Sequence, residues 1–235
     1  LGAAVERIAV VIGHQQEAVQ AILADLPVET VLQEEQRGTG HAVLCAEAAC
    51  AGLDQILILC GDTPLIRTET LTAMLAQHRQ EQPALTLMTT TLSQPFGYGR
   101  ILRSKQGEVQ AIVEEKDASA EERAIDEINA GIYVVDAAFL FAALAQVGTD
   151  NSQGEIYLTD IVAIARRESK RVQAFAHQQA MDVLGVNSRV ELAQAEAALQ
   201  ERRNLDLMRA GVSMFCPKTT WVAPGCTIGQ DCILH

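Results

Sequence analysis

The chain has 235 residues, a length that fits one large domain or one domain with an appendage. About half of the residues, 49 %, are hydrophobic, so a sizeable core can form and disorder is disfavoured. The formal net charge is −12 without a basic cluster, which argues against nucleic acid or an anionic membrane as a partner. The six cysteines form no Cys-x-x-Cys pair, and no signal peptide or long apolar span is evident, which predicts buried thiols in a cytoplasmic protein.

The first part of the chain alternates strands and helices. Apolar runs predict strands at 7–13, 28–32, 56–59 and 85–92, and helical patterns lie between them at 14–25, 41–51 and 67–82. This strand–loop–helix alternation predicts a parallel sheet with crossover helices. The apolar run at 56–59 is unbroken, so we expect that strand to be buried on both faces.

The pattern changes after residue 97. Two short strands at 98–103 and 108–114 flank a turn and predict a hairpin. Further strands are expected at 128–135 and 172–176, and helices at 119–124, 137–146, 158–170 and 188–210. The sequence therefore predicts an α/β fold with a mixed, mainly parallel sheet.

The last residues follow a six-residue period. Aliphatic side chains recur at Val222, Ile228 and Leu234, and cysteines follow the first two at Cys226 and Cys232. This is the hexapeptide pattern of a β-helix, although so short a stretch also fits an ordinary hairpin. Since a β-helix needs several coils to close its core, we expect most of it to lie beyond the last residue.

Two candidate metal ligands stand next to predicted elements. Asp62 follows Gly61 just past the run at 56–59, where open α/β sheets bind ligands, and its carboxylate is suited to holding Mg²⁺ against phosphate oxygens. Gly, Asp and Pro also make an ordinary turn. Asn187 precedes the helix at 188–210, where its side chain fits either a helix cap or a second metal ligand.

The loop between residues 33 and 40 ends a strand and opens a helix. Gly38 and Gly40 allow the backbone to bend around a ligand, and the helix N-terminus is expected to present free N–H groups. Gln33 offers a donor and an acceptor to the edge of a base, whereas Thr39 can simply cap the helix.

Three further positions are candidates, and two of them leave two interpretations. Gly99 could let a sugar approach the backbone, or it could belong to a bulge with Tyr98 packed on the core. Glu114 ends the hairpin beside two other charged residues, which is typical of a solvated charge run. Asn129 interrupts an apolar strand, so it needs partners if buried and fits a ligand contact equally well.

These motifs occur together in an order that is specific to one family. They are Gln33-x-x-Gln36-x-Gly38-Thr39-Gly40-His41-Ala42, Leu59-Cys60-Gly61-Asp62-x-Pro64-Leu65, Gly97-Tyr98-Gly99-Arg100-Ile101, Glu114-x-Lys116-Asp117, Glu127-Ile128-Asn129-x-Gly131, Gly154-Glu155-x-Tyr157-Leu158-Thr159-Asp160 and Gly185-Val186-Asn187-x-Arg189. Over nearly its whole length the chain resembles the uridylyltransferase domain of the bacterial bifunctional N-acetylglucosamine-1-phosphate uridyltransferase / glucosamine-1-phosphate N-acetyltransferase family. The closing hexads resemble the start of that family's left-handed β-helix.

The resemblance implies a Rossmann-like nucleotidyltransferase fold. It divides the chain into a uridyltransferase domain at 1–187, a linker helix at 188–212 and the beginning of the left-handed β-helix at 213–235. It also implies that UTP and N-acetylglucosamine 1-phosphate react, with Mg²⁺, to UDP-N-acetylglucosamine and pyrophosphate in cell-wall precursor synthesis. A homotrimer is implied for the full-length protein.

Matching motifs also imply roles for individual residues. Asp62 and Asn187 would hold Mg²⁺ and act in catalysis through the metal. The uridine nucleotide would be bound by Gln33, Gly38, Thr39, Cys60, Gly61 and Asp62, and the sugar phosphate by Gly99, Glu114 and Asn129. Cys60 departs from the family, which often has tyrosine at this position.

One departure from the family concerns the beginning of the chain. A Gly-rich phosphate loop and a downstream lysine are absent before Arg7, so we expect the chain as written to be unstable and inactive. Two alternatives follow, a non-catalytic regulatory or assembly subunit of the same fold and another sugar-1-phosphate nucleotidyltransferase. The metal and sugar motifs disfavour the first, and the ordered amino-sugar motifs disfavour the second.

Overall fold

The computed structural model describes residues 5–235, which divide into two compact units. The first unit consists of the chain up to Cys60 together with Arg67–Ala180. The second unit consists of Gly61–Ile66 together with Met181–His235.

The first unit begins with two short parallel strands. Strand β1 (Ala9–Ile12) pairs with β2 (Glu29–Leu32) over four residues, and helix α1 (Gln16–Leu23) connects them. Helix α2 (Thr39–Cys45) and strand β3 (Gln55–Ile58) follow. All five elements overlap the ranges that the sequence predicts, although α2 ends at Cys45, well before the predicted end at residue 51.

A six-stranded mixed sheet forms the body of the first unit. Besides β3, its strands are β4 (Leu85–Thr91), β5 (Arg100–Arg103), β6 (Val109–Val113), β7 (Glu127–Asp136) and β8 (Val172–Ala176). Strand β7 pairs antiparallel with β4 along one edge and with β5 and β3 along the other. Because β8 is parallel to β4 and β6 is antiparallel to β5, strands β3, β4, β5 and β8 share one direction. This arrangement confirms the predicted mixed sheet in which most strands run the same way.

Four helices complete the first unit. They are α3 (Thr68–Glu81), α4 (Ala120–Arg123), α5 (Ala137–Leu144) and α6 (Asp160–Arg167). Helices α5 and α6 share one hydrophobic core with β4 and β7, in which Leu140 and Ile161 are fully buried. Each such side chain contributes about 1.5–3 kcal/mol by leaving water. The core therefore fixes the start of α6, next to which Thr159 lies.

The second unit is built around the long helix α7 (Arg189–Arg209). The hydroxyl of Ser188 caps this helix by accepting a hydrogen bond from Glu191 N at 3.2 Å. The backbone N–H of Asn187 donates to the Glu191 carboxylate at 2.7 Å. The interpretation of Asn187 as the helix cap is therefore wrong, because Ser188 takes that role and leaves the Asn187 side chain outside the helix.

The end of the chain folds back beside itself within the second unit. Strand β9 (Ser213–Met214) pairs in parallel with β10 (Ile233–Leu234). The aliphatic hexad positions Val222, Ile228 and Leu234 pack in one cluster. This single turn of chain is compatible with a left-handed β-helix, which stays a prediction.

Two expectations about burial are wrong. The run at 56–59 is not buried on both faces, since its first three residues are half-buried and Leu59 is 40 % exposed. Within residues 5–235, β3 pairs only with β7, so no strand covers its other edge. The cysteines are not buried thiols either: Cys45 and Cys50 are half-buried, and the other four are exposed.

Across the described part of the chain, no helix combines the length and the apolar character that a membrane span needs.

Candidate active site

Asp62 and Asn187 lie beside each other in the second unit. The N–H of Val186 donates to Asp62 O at 2.8 Å, which ties the Asp62 loop to the segment before α7. Gly185 lies between the two side chains: a Cβ built there would be 2.7 Å from Asp62 Oδ2 and 3.5 Å from Asn187 Nδ2. The missing side chain at Gly185 therefore leaves the room in which the carboxylate and the amide converge.

This pair fits a small, hard cation. Carboxylate and amide oxygens are the ligand types that Mg²⁺ prefers, and the ion is commonly held by one or two protein oxygens plus water and phosphate. Both side chains are exposed, so a phosphate-bound ion can reach them. A half-turn about the last side-chain bond of Asn187 places its Oδ1 where Nδ2 now lies, because the two amide atoms are related by that rotation.

Gln33 is fixed by its amide nitrogen in the first unit. Nε2 donates to Gly38 O at 3.1 Å and lies 3.0 Å from His41 Nδ1. An amide nitrogen only donates, so His41 Nδ1 accepts and the ring proton is on Nε2, 4.0 Å from Cys45 Sγ. Both amide hydrogens of Gln33 are thereby used. The sequence predicts that Gln33 offers both a donor and an acceptor to a base, whereas in the structure only the acceptor, Oε1, is left for this contact.

Gln33 also lines an open cleft in the first unit. Gly13 and Leu32 line the same cleft together with the first residues of α1. Gly13 follows β1 and Gln33 follows β2, so the cleft lies at the carboxyl ends of two parallel strands. Ligands of open α/β folds bind at such an edge.

The residues 38–40 are held by packing rather than left open. A Cβ at Gly38 would lie 2.7 Å from Ile156 O, and one at Gly40 would lie 2.8 Å from Ile156 Cγ2. The N–H of Gly40 donates to Ile156 O at 2.8 Å, and the Thr39 hydroxyl accepts from Leu158 N at 3.1 Å. One expectation is therefore wrong, since Thr39 does not cap α2, and Ile156 O takes one of the N–H groups that open the helix.

Gly99, Glu114 and Asn129 come together in the first unit. The N–H of Asn129 donates to Gly99 O at 2.9 Å, which joins the hairpin to β7. A Cβ at Gly99 would lie 2.9 Å from Ile112 Cγ2 and 3.4 Å from Glu114 Oε2. Gly99 is buried, so its small size allows the hairpin to pack closely.

The amide of Asn129 is oriented at a bulge in β7. Nδ2 donates to the Tyr133 hydroxyl at 2.7 Å, and Oδ1 accepts from Gly131 N at 3.1 Å. The register of β7 against β4 shifts here, and Gly131 has φ +72°. One Nδ2 hydrogen and one Oδ1 lone pair remain for a ligand. Burial, followed by the charge of Glu114, raises the pKa of Tyr133, so this phenol stays protonated.

Cys60 packs against Gly131, the residue at that bulge. Its Sγ donates to Gly131 O at 3.4 Å, and a Cβ at Gly131 would lie 2.7 Å from the sulfur. The thiol thus contacts the strand that carries Asn129 within the first unit. The next residue, Gly61, belongs to the second unit. A Cβ built on Gly61 would meet no described atom within 4 Å.

Glu114 lies among other acidic groups. Its Oε1 accepts a hydrogen bond from the Thr159 hydroxyl at 3.0 Å. Burial raises the pKa of Glu114, the Thr159 bond opposes this, and the charges of Asp160, Asp117 and Glu155 raise the pKa further. The carboxyl group of Glu114 therefore holds its proton more tightly than an exposed glutamate does.

The charge run at 114–116 is only partly solvated, so the interpretation as a solvated run holds for the exposed Lys116 and is wrong for Glu114 and Glu115. Glu114 is half-buried, and Glu115 accepts from Arg100 Nη2 at 2.6 Å. Arg100 is only 2 % exposed and also donates to Tyr98 O. Lys116 donates to Gln153. Each charge of the run has a partner because the end of the hairpin packs against other segments.

Sequence reasoning missed the residues that hold the candidate binding side chains in place. Thr159 and His41 stand inside the motifs quoted above, but their partners could not be read from any local rule. The contact between Thr159 and Glu114 spans 45 positions. A weaker signal exists for Tyr133, since residues an even number apart share one face of a strand.

The chain matches the family model described as "Nucleotidyl transferase" over residues 1–198. It therefore belongs to the nucleotidyl transferase family. Among curated relatives, it is 52 % identical to "Bifunctional protein GlmU" of Syntrophotalea carbinolica over 226 residues, which are 96 % of this chain and 48 % of that protein. It is 48 % identical to "Bifunctional protein GlmU" of Geotalea daltonii over 236 residues, covering 100 % and 51 %. The chain spans about half the length of these relatives.

A solved structure shares the fold. "The Crystal Structure of UDP-glucose pyrophosphorylase complexed with UDP-glucose" superposes with a TM-score of 0.61 over 84 % of this chain and 82 % of that chain. Its sequence identity is 18 %, so the likeness concerns the fold alone. It confirms the predicted nucleotidyltransferase fold.

Proposed function

We propose that the natural protein that carries this sequence transfers a uridylyl group from UTP to N-acetylglucosamine 1-phosphate, giving UDP-N-acetylglucosamine and pyrophosphate. A phosphate oxygen of the sugar phosphate forms a bond to the α-phosphorus of UTP, while the bond from that phosphorus to the bridging oxygen breaks and pyrophosphate leaves. No covalent intermediate with the protein is needed, so the protein acts by positioning and by neutralising charge. The convergence of Asp62 and Asn187 beside Gly185 carries the proposal.

Asp62 and Asn187 would hold Mg²⁺ in this reaction. When bound, the ion would offset the negative charge that accumulates on the phosphate oxygens. The roles of the two residues follow from their chemistry. Asp62 would supply one negative charge, and Asn187 would supply a neutral oxygen as the second ligand of the ion. The Val186–Asp62 backbone bond and the absent side chain of Gly185 support this pairing.

Gln33 would select the base. Its Oε1 is the group left after Gly38 O and His41 Nδ1 take both amide hydrogens. An acceptor pairs with the N3–H of uracil, whereas N3 of cytosine has no hydrogen at neutral pH. The fixed amide therefore favours UTP over CTP. Gly38 and Thr39 would shape this part of the nucleotide site through backbone atoms, because Ile156 and Leu158 occupy their other sides.

Glu114 and Asn129 would recognise the amino sugar. The Glu114 carboxylate accepts hydrogen bonds from hydroxyl or N–H groups, and Asn129 keeps one N–H and one lone pair for the ligand. Gly99 holds the two residues together through its carbonyl and its lack of a side chain. Cys60, Gly61 and Asp62 would lie along the nucleotide.

We also propose the finer assignments that the resemblance implies for the natural protein. These are a hexapeptide-repeat β-helix, a homotrimer built on it, acetyl transfer as the second activity, and a place in cell-wall precursor synthesis in the cytoplasm. The hexad cluster and the parallel pairing of β9 with β10 support the β-helix. No residue of this chain is assigned to acetyl transfer.

Pyrophosphate release tests the function. The natural protein that carries this sequence is supplied with UTP or CTP and with N-acetylglucosamine 1-phosphate or glucose 1-phosphate. We expect UTP with the amino sugar to give the highest kcat/KM. Since a lost hydrogen bond is worth about 1–2 kcal/mol, Gln33→Leu should lower the UTP/CTP ratio roughly 5- to 30-fold. Gln106→Leu, in the hairpin turn, is the control. Higher kcat/KM with glucose 1-phosphate would contradict the substrate, and no release with any pair would favour the non-catalytic alternative.

A further inference from the structure

A single arginine on α7 joins the two segments that carry the candidate metal ligands. Arg202 Nη1 donates to Leu65 O at 2.8 Å, three residues after Asp62. Its Nη2 donates to the carboxylate of Asp182, five residues before Asn187. All of these residues belong to the second unit. The loop Gly61–Ile66 and the segment before α7 are thus held by one planar group.

The environment of this contact makes it stronger than a surface ion pair. The Asp182 side chain is 4 % exposed and that of Arg202 is 21 % exposed. Removing one partner of a buried pair costs more than removing one partner of an exposed pair, because the group that remains is desolvated. Removing the guanidinium would leave both the Asp182 carboxylate and the Leu65 carbonyl without this donor. The two segments would then lose a shared anchor.

The geometry requires arginine rather than any cation. The guanidinium directs two nitrogens in fixed directions, one to each segment, whereas a lysine ammonium is a single point on a flexible stem. A further direct tie between the segments is the bond from Val186 N to Asp62 O. A backbone bond fixes the position of the Asp62 main chain. The additional Arg202 bond fixes the exit of the loop at Leu65, and so the direction in which Asp62 points.

We propose that Arg202 is a positioning residue for the metal pair: it holds Gly61–Ile66 against the segment before α7, so that Asp62 and Asn187 bind one divalent cation. This inference rests on the proposed function, because it takes Asp62 and Asn187 as the metal ligands. Groups that hydrogen-bond directly to metal ligands typically change metal affinity or activity 10- to 100-fold when they are removed, and the lower end applies to Arg202 because it acts through the backbone of the two segments. We therefore expect at least a 10-fold loss on disrupting Arg202.

The test measures Mn²⁺ binding by electron paramagnetic resonance in the natural protein that carries this sequence. The binding that Asp62→Ala abolishes defines the site. We expect Arg202→Gln and Arg202→Lys to weaken it at least 10-fold. Arg203→Gln is the matched control: it removes the same charge one residue along α7, where Arg203 bonds to Cys226 O, and should stay within twofold of the parent.

A second readout separates positioning from mere stability. In Arg202→Lys, the Mg²⁺ concentration for half-maximal turnover should rise, while kcat at saturating Mg²⁺ returns close to the parent value. A purely structural role would lower kcat at every Mg²⁺ concentration. If Arg202→Gln fails to fold by circular dichroism, Arg202→Lys decides, since it keeps a positive charge beside Asp182.

The outcomes distinguish the inference from the function on which it rests. Mn²⁺ affinity within twofold of the parent in a folded Arg202→Lys overturns the role of Arg202 alone. Unchanged Mn²⁺ binding in Asp62→Ala overturns the metal assignment and the inference together. Lack of pyrophosphate release by the unchanged protein contradicts the proposed function, and it is seen independently because the Mn²⁺ titration needs no turnover.

Discussion

The contact between Thr159 and Glu114 gives a prediction whose sign depends on pH. Thr159→Val keeps the shape of the side chain and deletes the hydroxyl that donates to Glu114 Oε1 at 3.0 Å. Thr159 is 4 % exposed, so water cannot easily replace the lost donor. Although Thr159 precedes α6 as its N-cap, its side chain makes no capping bond. The substitution therefore removes the bond to Glu114 without removing a helix cap.

The size of the effect depends on the charge of Glu114. A hydrogen bond to an ionised group contributes about 1.5–3 kcal/mol, whereas one between neutral groups contributes about 0.5–1.5 kcal/mol. Burial already raises the pKa of Glu114 above its ordinary 4.5, and the Thr159 bond opposes that rise. Deleting the bond raises the pKa further. The folded state then binds the proton more tightly than the unfolded state does, over a wider pH range.

The linkage gives the direction of the stability change. A carboxyl group whose folded pKa is raised favours folding fully below its unfolded pKa, and this benefit is lost as pH rises through the folded pKa. Thr159→Val should therefore lower the free energy of unfolding by about 1.5–3 kcal/mol at pH 8. Near pH 4.5 the loss should shrink by about 1 kcal/mol or more, because Glu114 becomes protonated.

Urea denaturation of the parent, Thr159→Val and Thr159→Ser across pH 4.5 to 8 measures this difference. Thr159→Ser is the matched control, since it keeps the hydroxyl and loses only the methyl group. We expect the serine variant to show a small loss that does not change with pH. A valine variant whose loss is equally large at both ends of the pH range would refute the reasoning.

Two further changes test other parts of the fold. Gly38→Ala places a methyl group 2.7 Å from Ile156 O at φ +102°, whereas Gly52→Ala has φ +80° with no described atom within 4 Å. In urea denaturation we expect Gly52→Ala to lose about 1–2 kcal/mol from backbone strain and Gly38→Ala about 1–3 kcal/mol more, and equal losses would contradict the packing of the loop. His78 is buried against the Thr86 hydroxyl at 2.8 Å, and burial lowers its pKa. Stability should fall as pH drops below about 6.5, because the unfolded state takes up the proton first, and His78→Gln should flatten that fall.

Local elements could be predicted from the sequence because their causes are local. The apolar run before Gly61 indicates a strand, and Ser188 before Arg189 fits the start of a long helix. The family motifs point to Asp62, Asn187 and Glu114 as residues that act together. Whether β3 is covered on both faces depends instead on what packs on the two sides of the sheet, which an apolar run does not specify.

The roles of the glycines show a second limit. Gly38 and Gly99 each fit a ligand approaching the backbone, but the structure places Ile156 O and Ile112 Cγ2 against them. The contact between Thr39 and Leu158 spans 119 positions, and no spacing rule connects such segments. Close packing and ligand approach both require glycine, so the sequence alone cannot separate them.

The most direct test of the proposed site is Mg²⁺-dependent pyrophosphate release in Asp62→Ala, made in the natural protein that carries this sequence. Asp54→Ala, an exposed acid on the approach to β3, is the matched control. We expect Asp62→Ala to stay folded by circular dichroism and to lose nearly all turnover, while Asp54→Ala keeps it. A folded Asp62→Ala protein with turnover equal to the parent at every Mg²⁺ concentration would contradict the site.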